Sequence, residues 1–316
     1  MNAFSSVMGH DRAITLLSKM LEHGTIPHAF LFVGARGLGR TTVAKALIGE
    51  LMGQQVSMDL HPDVHTLQVL SDEKTGKLKK NISVEQVREL NGRIAMTSLS
   101  GSWKIVWIEE AEKLSMGAAN ALLKTLEEPK GQTLFILRAP EVDQLPATIV
   151  SRCQTVRFST VAREDIVDGL VRLGFAPSDA RRAAARSMGR PGLALRYLKD
   201  TAYRSLSETG VAQAQAFLSA GLPERLAQVL EMIPKAEVNK MGRLIEVVDQ
   251  LQLVCRDRLL DSVGCSSLCV TEETSCLKGL TQADVMVVLD RLAQVRSAIS
   301  QNINPHLALE HVALSA

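Results

Sequence analysis

The sequence predicts an α/β fold: a parallel sheet flanked by helices, followed by a small helical lid and an all-helical C-terminal domain. Three observations carry this reading. Apolar runs of strand length alternate with amphipathic helical stretches as far as Phe158, the pattern of a parallel sheet covered by helices. A glycine-rich segment lies between the first of these runs and the helix after it. Beyond Phe158 strand-like runs become scarce, and Ala, Arg, Leu and Glu dominate.

The elements follow in order. Asp11 to Glu22 has helical spacing, and Ala29-Phe-Leu-Phe-Val33 is a short, wholly apolar run. A glycine-rich turn leads into a second helix, Thr41 to Met52, and Val64 to Leu70 has the character of a strand. Asp72 to Asn81 is charged and reads as an exposed loop. From Ser83 to Arg93 the residues Val84, Val87 and Leu90 share one helical face. Lys104 to Ile108 and Thr133 to Leu137 are the strongest strands, apolar as strands buried on both faces must be. Between them Ser115 can cap a helix that buries Ala119, Leu122, Leu123 and Leu126 and that Pro129 stops. Gly189-Arg-Pro-Gly192 and Gly221-Leu-Pro223 interrupt the helices of the second half.

Hydrophobic residues make up 46% of the 316 residues but aromatic residues only 3%. The core must therefore be built from Leu, Val, Ile and Ala, which favours helices around a smaller sheet. The length suits two or three domains. A net charge of +2 is too small to draw the whole protein to nucleic acid. Any DNA contact would come from local groups: Lys74, Lys77, Lys79 and Lys80, or Arg181, Arg182 and Arg186. The plainer reading, that these are solvated faces, stands beside it. No run of about 18 apolar residues occurs, and the opening residues lack the basic-then-apolar order of an export signal, so a cytoplasmic protein without membrane contact is expected. The five cysteines then read as reduced thiols. Four of them, Cys255, Cys265, Cys269 and Cys276, cluster late with gaps that match no common zinc pattern.

The segment Gly34-Ala-Arg-Gly37-Leu-Gly39-Arg40-Thr41-Thr42 follows the phosphate-loop pattern: glycines separated by four residues, then a basic residue, then a hydroxyl. Such glycines let backbone N–H groups turn toward phosphate oxygens, and the helix starting near Arg40 adds the positive end of its dipole. Thr41 stands where a hydroxyl binds Mg²⁺. The basic residue departs from the pattern, which demands lysine: the guanidinium of Arg40 is larger, planar and forked. The second half of such a site is an acidic pair at the end of a buried strand, ordinarily Asp then Glu. Here Glu109 and Glu110 follow Ile108, and Glu109 is one methylene too long for the first role. A ligand-free glycine turn and an ordinary acidic strand end are the bland alternatives.

Further motifs stand in a fixed order: Gly9-His10, Pro27-His28-Ala29, the altered phosphate loop, His61-Pro62-Asp63, Glu109-Glu110-Ala111-Glu112, the block from Asn120 to Pro129, and Ser151-Arg152-Cys153. Together they resemble the clamp-loader subunits of bacterial DNA polymerase III, which are AAA+ proteins. Near the end Asn302-Ile-Asn304 adds to the likeness. The resemblance implies an AAA+ phosphate-loop-type domain over 1–160, a helical lid over 161–205 and an all-helical collar for oligomerisation over 206–316. It also implies that Arg152, flanked by Ser151 and Cys153, is an arginine finger that reaches the γ-phosphate of ATP held by a neighbour. Hydrolysing members carry an intact loop and a nucleotide-sensing lid arginine, whereas Gly192 takes that position here. The implied role is therefore a non-hydrolysing subunit. Its implied partners are motor subunits of the gamma/tau type and a delta subunit in a hetero-oligomeric ring, together with the sliding clamp and primer–template DNA. No cofactor is required on this reading, and residual ATP or ADP binding stays open. Zinc is not expected, because no cysteine lies between Leu51 and Leu70, where many members have a zinc module. Two other readings remain: a gamma/tau-type motor that tolerates Arg40 and Glu109, and a plain scaffold with a vestigial finger.

Overall fold

Strands form where the sequence is apolar on both faces. In the computed structural model, which describes residues 4–53, 61–71, 79–96, 98, 103–270, 279–299 and 303–315, β1 is Ala29–Val33, β2 Val64–Leu67, β3 Lys104–Ile108, β4 Thr133–Ala139 and β5 Gln154–Arg157. They pair in the order β2-β3-β4-β1-β5, every pair parallel. The helices between them are α1 (Asp11–His23), α2 (Arg40–Met52), α3 (Val84–Ile94), α4 (Met116–Glu127) and the short α5 (Ala147–Val150). The expected α/β class is observed, with β4 two residues longer than its apolar run and β5 additional to the expected strands.

Side-chain alternation divides this half into two packed layers. Phe30, Phe32, Ile105, Trp107, Leu134 and Ile136 face α1 and α2, burying Leu17, Val43 and Leu47. Leu31, Val33, Val106, Ile108, Phe135 and Leu137 face the other way, onto Val87, Leu90, Leu122 and Leu126 of α3 and α4. Each large apolar side chain buried in this way contributes about 1.5–3 kcal/mol. Helix starts follow the expected chemistry. Ser83 and Gln86 form a reciprocal capping box on α3, and the Ser115 hydroxyl accepts from the Ala118 N–H to open α4.

The chain divides into two compact units, 1–175 with 189–192, and 176–188 with 193–316. The first holds the sheet and α6 (Arg163–Arg172). The second holds α7 (Pro177–Arg186), most of α8 (Pro191–Lys199), α9 (Thr201–Ser219), α10 (Leu222–Met232), α11 (Lys240–Ser262), α12 (Gln282–Ala298) and α13 (Pro305–Ala313). Its core gathers Phe217, Val229, Leu244, Val248, Leu251, Val288, Leu292 and Leu309 from five helices. Asp200, Asn239, Thr281 and Asn304 cap α9, α11, α12 and α13 through their side chains. Among the described residues no helix is long and apolar enough to cross a membrane.

Candidate functional site

In a parallel sheet with crossover helices, ligands meet the carboxyl ends of the strands where the order reverses. β1 lies between β4 and β5, and its carboxyl end runs straight into the glycine-rich loop and α2. Gly34 has φ 149°, and a β-carbon there would stand 2.5 Å from the Phe158 carbonyl oxygen. Only glycine lets the loop leave the sheet so closely. Its N–H donates to the Ala139 oxygen (3.2 Å), and the Phe158 N–H donates to the Val33 oxygen (2.7 Å). Gly37 and Gly39 also have positive φ, and no side chain caps α2. His10, itself left-handed at φ 65°, braces the loop from below: its Nε2 lies 2.6 Å from the Leu38 oxygen and its ring meets Phe158 edge-on. Burial holds its pKa below the ordinary imidazole value, against the raising effects of the Leu38 carbonyl and Asp11.

The side chains at the loop are turned onto the protein itself. Arg40 is only 6% exposed and donates to the Ala139 oxygen at 2.5 Å and the Phe32 oxygen at 3.5 Å. Burial, and then the charge of Arg138, lower its pKa to about 10, with Glu112 acting in the opposite sense. The guanidinium therefore stays charged at neutral pH. Arg138 donates from Nη1 to the Thr41 hydroxyl (2.9 Å) and from Nε to the Glu109 carbonyl (2.7 Å), while its guanidinium carbon lies 5.8 Å from the centre of the Trp107 ring. The Glu109 carboxylate accepts from the Trp107 indole at 3.3 Å. Glu110 is half-buried at the strand end and Thr42 is exposed. Glu112 is pushed above the ordinary carboxylate range, first by burial and also by the charge of Glu110.

The lid segment closes on the same loop. The Gly192 N–H donates to the Gly37 oxygen at 2.7 Å, and a β-carbon at 192 would lie 2.9 Å from that oxygen. A sensing arginine at 192 would have to displace the loop. The structure thus brings Gly34, Gly37, Gly39, Arg40, Thr41, Glu109 and Gly192 together and adds Arg138 and His10, which sequence reasoning did not place there. The set does not fit a magnesium nucleotide: the Arg138 guanidinium occupies the Thr41 hydroxyl, and Arg40 is committed to the carbonyls of Phe32 and Ala139.

Arg152 belongs to a different cluster. It follows α5, donates from Nη1 to the Thr148 oxygen (2.8 Å) and pairs through Nη2 with Glu127 at the end of α4. The two side chains are 32% and 48% exposed, so the pair adds little stability. The Ser151 hydroxyl donates to the same Thr148 carbonyl, at 3.2 Å. The Cys153 thiol packs against the α3/α4 core, and burial pushes its pKa up to about 12, leaving it neutral and unreactive.

The remaining candidates lie away from the loop. Asp63 is buried; its N–H donates to His61 Nδ1 at 3.2 Å and its carboxylate accepts from the Ser98 hydroxyl at 3.1 Å. The motif His61-Pro62-Asp63 is a turn into β2. Lys79, Lys80, Arg181 and Arg182 are exposed, whereas Arg186 is half-buried with its guanidinium over the Tyr197 ring. Cys255 is a buried free thiol, and Cys265 and Cys269 are half-buried free thiols. Among the described residues no group of His, Cys, Asp and Glu is placed to hold a metal. Lys74, Lys77, Cys276 and Asn302 lie outside the described residues.

Residues 9–162 match the family described as DNA polymerase III, delta subunit. The DNA polymerase III subunit delta' of Haemophilus influenzae is 35% identical over 200 residues, 58% of this chain and 59% of that protein. That of Pseudomonas aeruginosa is 31% identical over 227 residues, 66% of this chain and 65% of that protein. Over its sheet-bearing half this chain is similar to delta-prime-type clamp-loader subunits. The match spans less than two thirds of either relative's own length. The DNA polymerase III subunit tau of Bacillus subtilis is also 32% identical over 170 residues, 52% of this chain and 30% of that protein. Overall likeness therefore does not separate the delta' type from the tau type for this chain.

Proposed function

We propose that this chain is a non-hydrolysing subunit of the DNA polymerase III clamp loader that lends Arg152 to ATP held by a neighbouring motor subunit. The observation that carries the reading is the contrast in how its arginines are held. Arg40 and Arg138 are tied into the chain's own phosphate loop, while Arg152 is held at the surface by one exposed carboxylate. Loss of the loop lysine, the first acidic residue and the lid arginine beside a retained Ser151-Arg152-Cys153 fits a role in trans.

The chemistry follows from the guanidinium. It is permanently charged and offers two parallel N–H groups, so it can leave Glu127 for phosphoryl oxygens and offset the charge they gain in the transition state. Such fingers are worth roughly 10³–10⁵ in rate. The Thr148 carbonyl gives the side chain a second fixed point. On this reading the chain requires no cofactor of its own. It works in the cytoplasm within a ring that contains gamma/tau-type motor subunits and a delta subunit, which opens the sliding clamp and sets it on primed DNA. Its tie to DNA synthesis is as a part of the polymerase III holoenzyme.

The match to tau keeps one rival in view, a hydrolysing motor. ATP turnover separates the two, measured first on the purified chain and then on a reconstituted loader with wild-type or Arg152→Ala chain. The expected result is no turnover alone and a large loss in the complex on removing Arg152. Turnover by the isolated chain, indifferent to that change, would establish the motor.

A further inference from the structure

We infer that Arg138 is a metal-excluding residue: its guanidinium takes the place of a divalent cation at Thr41, and this bond, more than the size of Arg40, bars metal–nucleotide from the phosphate loop. The inference deepens the non-hydrolysing reading proposed above and rests on it.

β4 alternates between layers, so Leu134, Ile136 and position 138 point to the face that carries α2. Arg138 pairs in register with Phe32, next to the last residue of β1, which sets its side chain beside the first turn of α2. From there it bonds both halves of the former site, the Thr41 hydroxyl at 2.9 Å and the Glu109 carbonyl at 2.7 Å. In phosphate-loop sites that hydroxyl is a direct metal ligand, and the acidic residue at the strand end organises the metal's waters. Here a fixed positive charge lies within hydrogen-bonding distance of the ligand oxygen, and like charges repel strongly where solvent is scarce. One oxygen of the Glu109 carboxylate is engaged by the Trp107 indole, at 3.3 Å.

Arg40 is consistent with this arrangement and does not explain it. Its Nη1 is committed to the Ala139 and Phe32 carbonyls. Replacing it with lysine would restore the loop's point charge and still leave Arg138 on Thr41. The substitution that reopens the metal position is therefore at 138, on β4 and outside both the phosphate-loop and the acidic-pair motifs.

The test is binding of a fluorescent ATP analogue, by anisotropy, with Mg²⁺ and with EDTA, to four full-length chains: wild type, Arg40→Lys, Arg40→Lys/Arg138→Ala and Arg40→Lys/Arg138→Met. Unfolding temperatures confirm that each is folded, and methionine keeps most of the side-chain volume should alanine unfold the chain. The expected result is Mg²⁺-dependent binding at least about tenfold tighter in a double variant than in Arg40→Lys, which equals wild type. Equal gains in Arg40→Lys alone would overturn the inference, and so would the absence of any gain in a folded double variant. Either result would leave the trans role of Arg152 intact. Mg²⁺-dependent binding with turnover by the wild-type chain would instead defeat the non-hydrolysing reading itself.

Discussion

The phosphate loop and the Arg152 turn hold the same side chain in opposite ways. At the loop, Arg40 is buried against the carbonyls of Phe32 and Ala139, and Arg138 is fixed by Thr41 and Glu109. At the turn, Arg152 touches the Thr148 carbonyl, the Ser151 hydroxyl and the exposed carboxylate of Glu127. An arginine bonded to buried backbone cannot be withdrawn without leaving acceptors unsatisfied, whereas an exposed ion pair is exchanged at little cost. Availability to a partner is thus set by what the guanidinium already holds.

The largest expected effect tests the open half of this comparison. Arg152→Ala should lower single-turnover ATP hydrolysis at the neighbouring site of the reconstituted loader by on the order of 10³ or more, while the unfolding temperature of the isolated chain stays near that of wild type. A large drop in that temperature would mean the arginine is held for stability. On the closed half, Gly34→Ala forces a β-carbon onto the Phe158 oxygen at a positive φ, and a loss of about 2–3 kcal/mol is expected. Urea denaturation reads it directly; an unchanged midpoint would show that the loop yields easily.

A pH effect should come from His10. Its folded pKa is lowered below the ordinary value of 6.5 by burial. The stability of the neutral, loop-bracing form is then complete above pH 6.5 and is lost as the pH falls through the folded value. Burial lowers the pKa of His65 in the same direction, so the contribution of His10 is the part of the acid sensitivity removed by His10→Gln, read from melting temperatures between pH 7.5 and pH 5. No difference between the two proteins would remove His10 from the account. The smallest effect is that of Glu127→Gln, expected to change stability by less than about 0.5 kcal/mol and to leave ATP turnover in the complex close to wild type. A marked loss of turnover would mean that Glu127 positions the arginine and does more than hold it in the free chain.

Much of this was legible from residue order. β1 begins and ends where its apolar run does, and β3 adds only Lys104 to the run Ile105–Ile108, because strands buried on both faces are apolar in their interior. The cap Ser115 was readable because a helix start needs a local acceptor three residues before its free N–H. β5 was not, since Gln154–Arg157 is short and half-exposed and carries little apolar signal. Arg138 was missed for a related reason: it lies just past the apolar run of β4, where it reads as a strand ending. Only continued alternation from Leu134 and Ile136 would have set it on the face of α2.

By itself the sequence determined the α/β class, the altered loop at Arg40 and Glu109, and the Ser151-Arg152-Cys153 motif, because strand burial, helix capping and motif spacing are local properties of the chain. The tertiary structure alone decided that Arg138 sits on Thr41, that Arg40 turns to Ala139, that Gly192 leaves no room for a side chain above Gly37, and that Arg152 rests on Glu127. Each of those bonds joins residues brought together by parallel pairing or by packing, and a guanidinium is long enough to take any acceptor within reach, so its partner is set by what the fold delivers there.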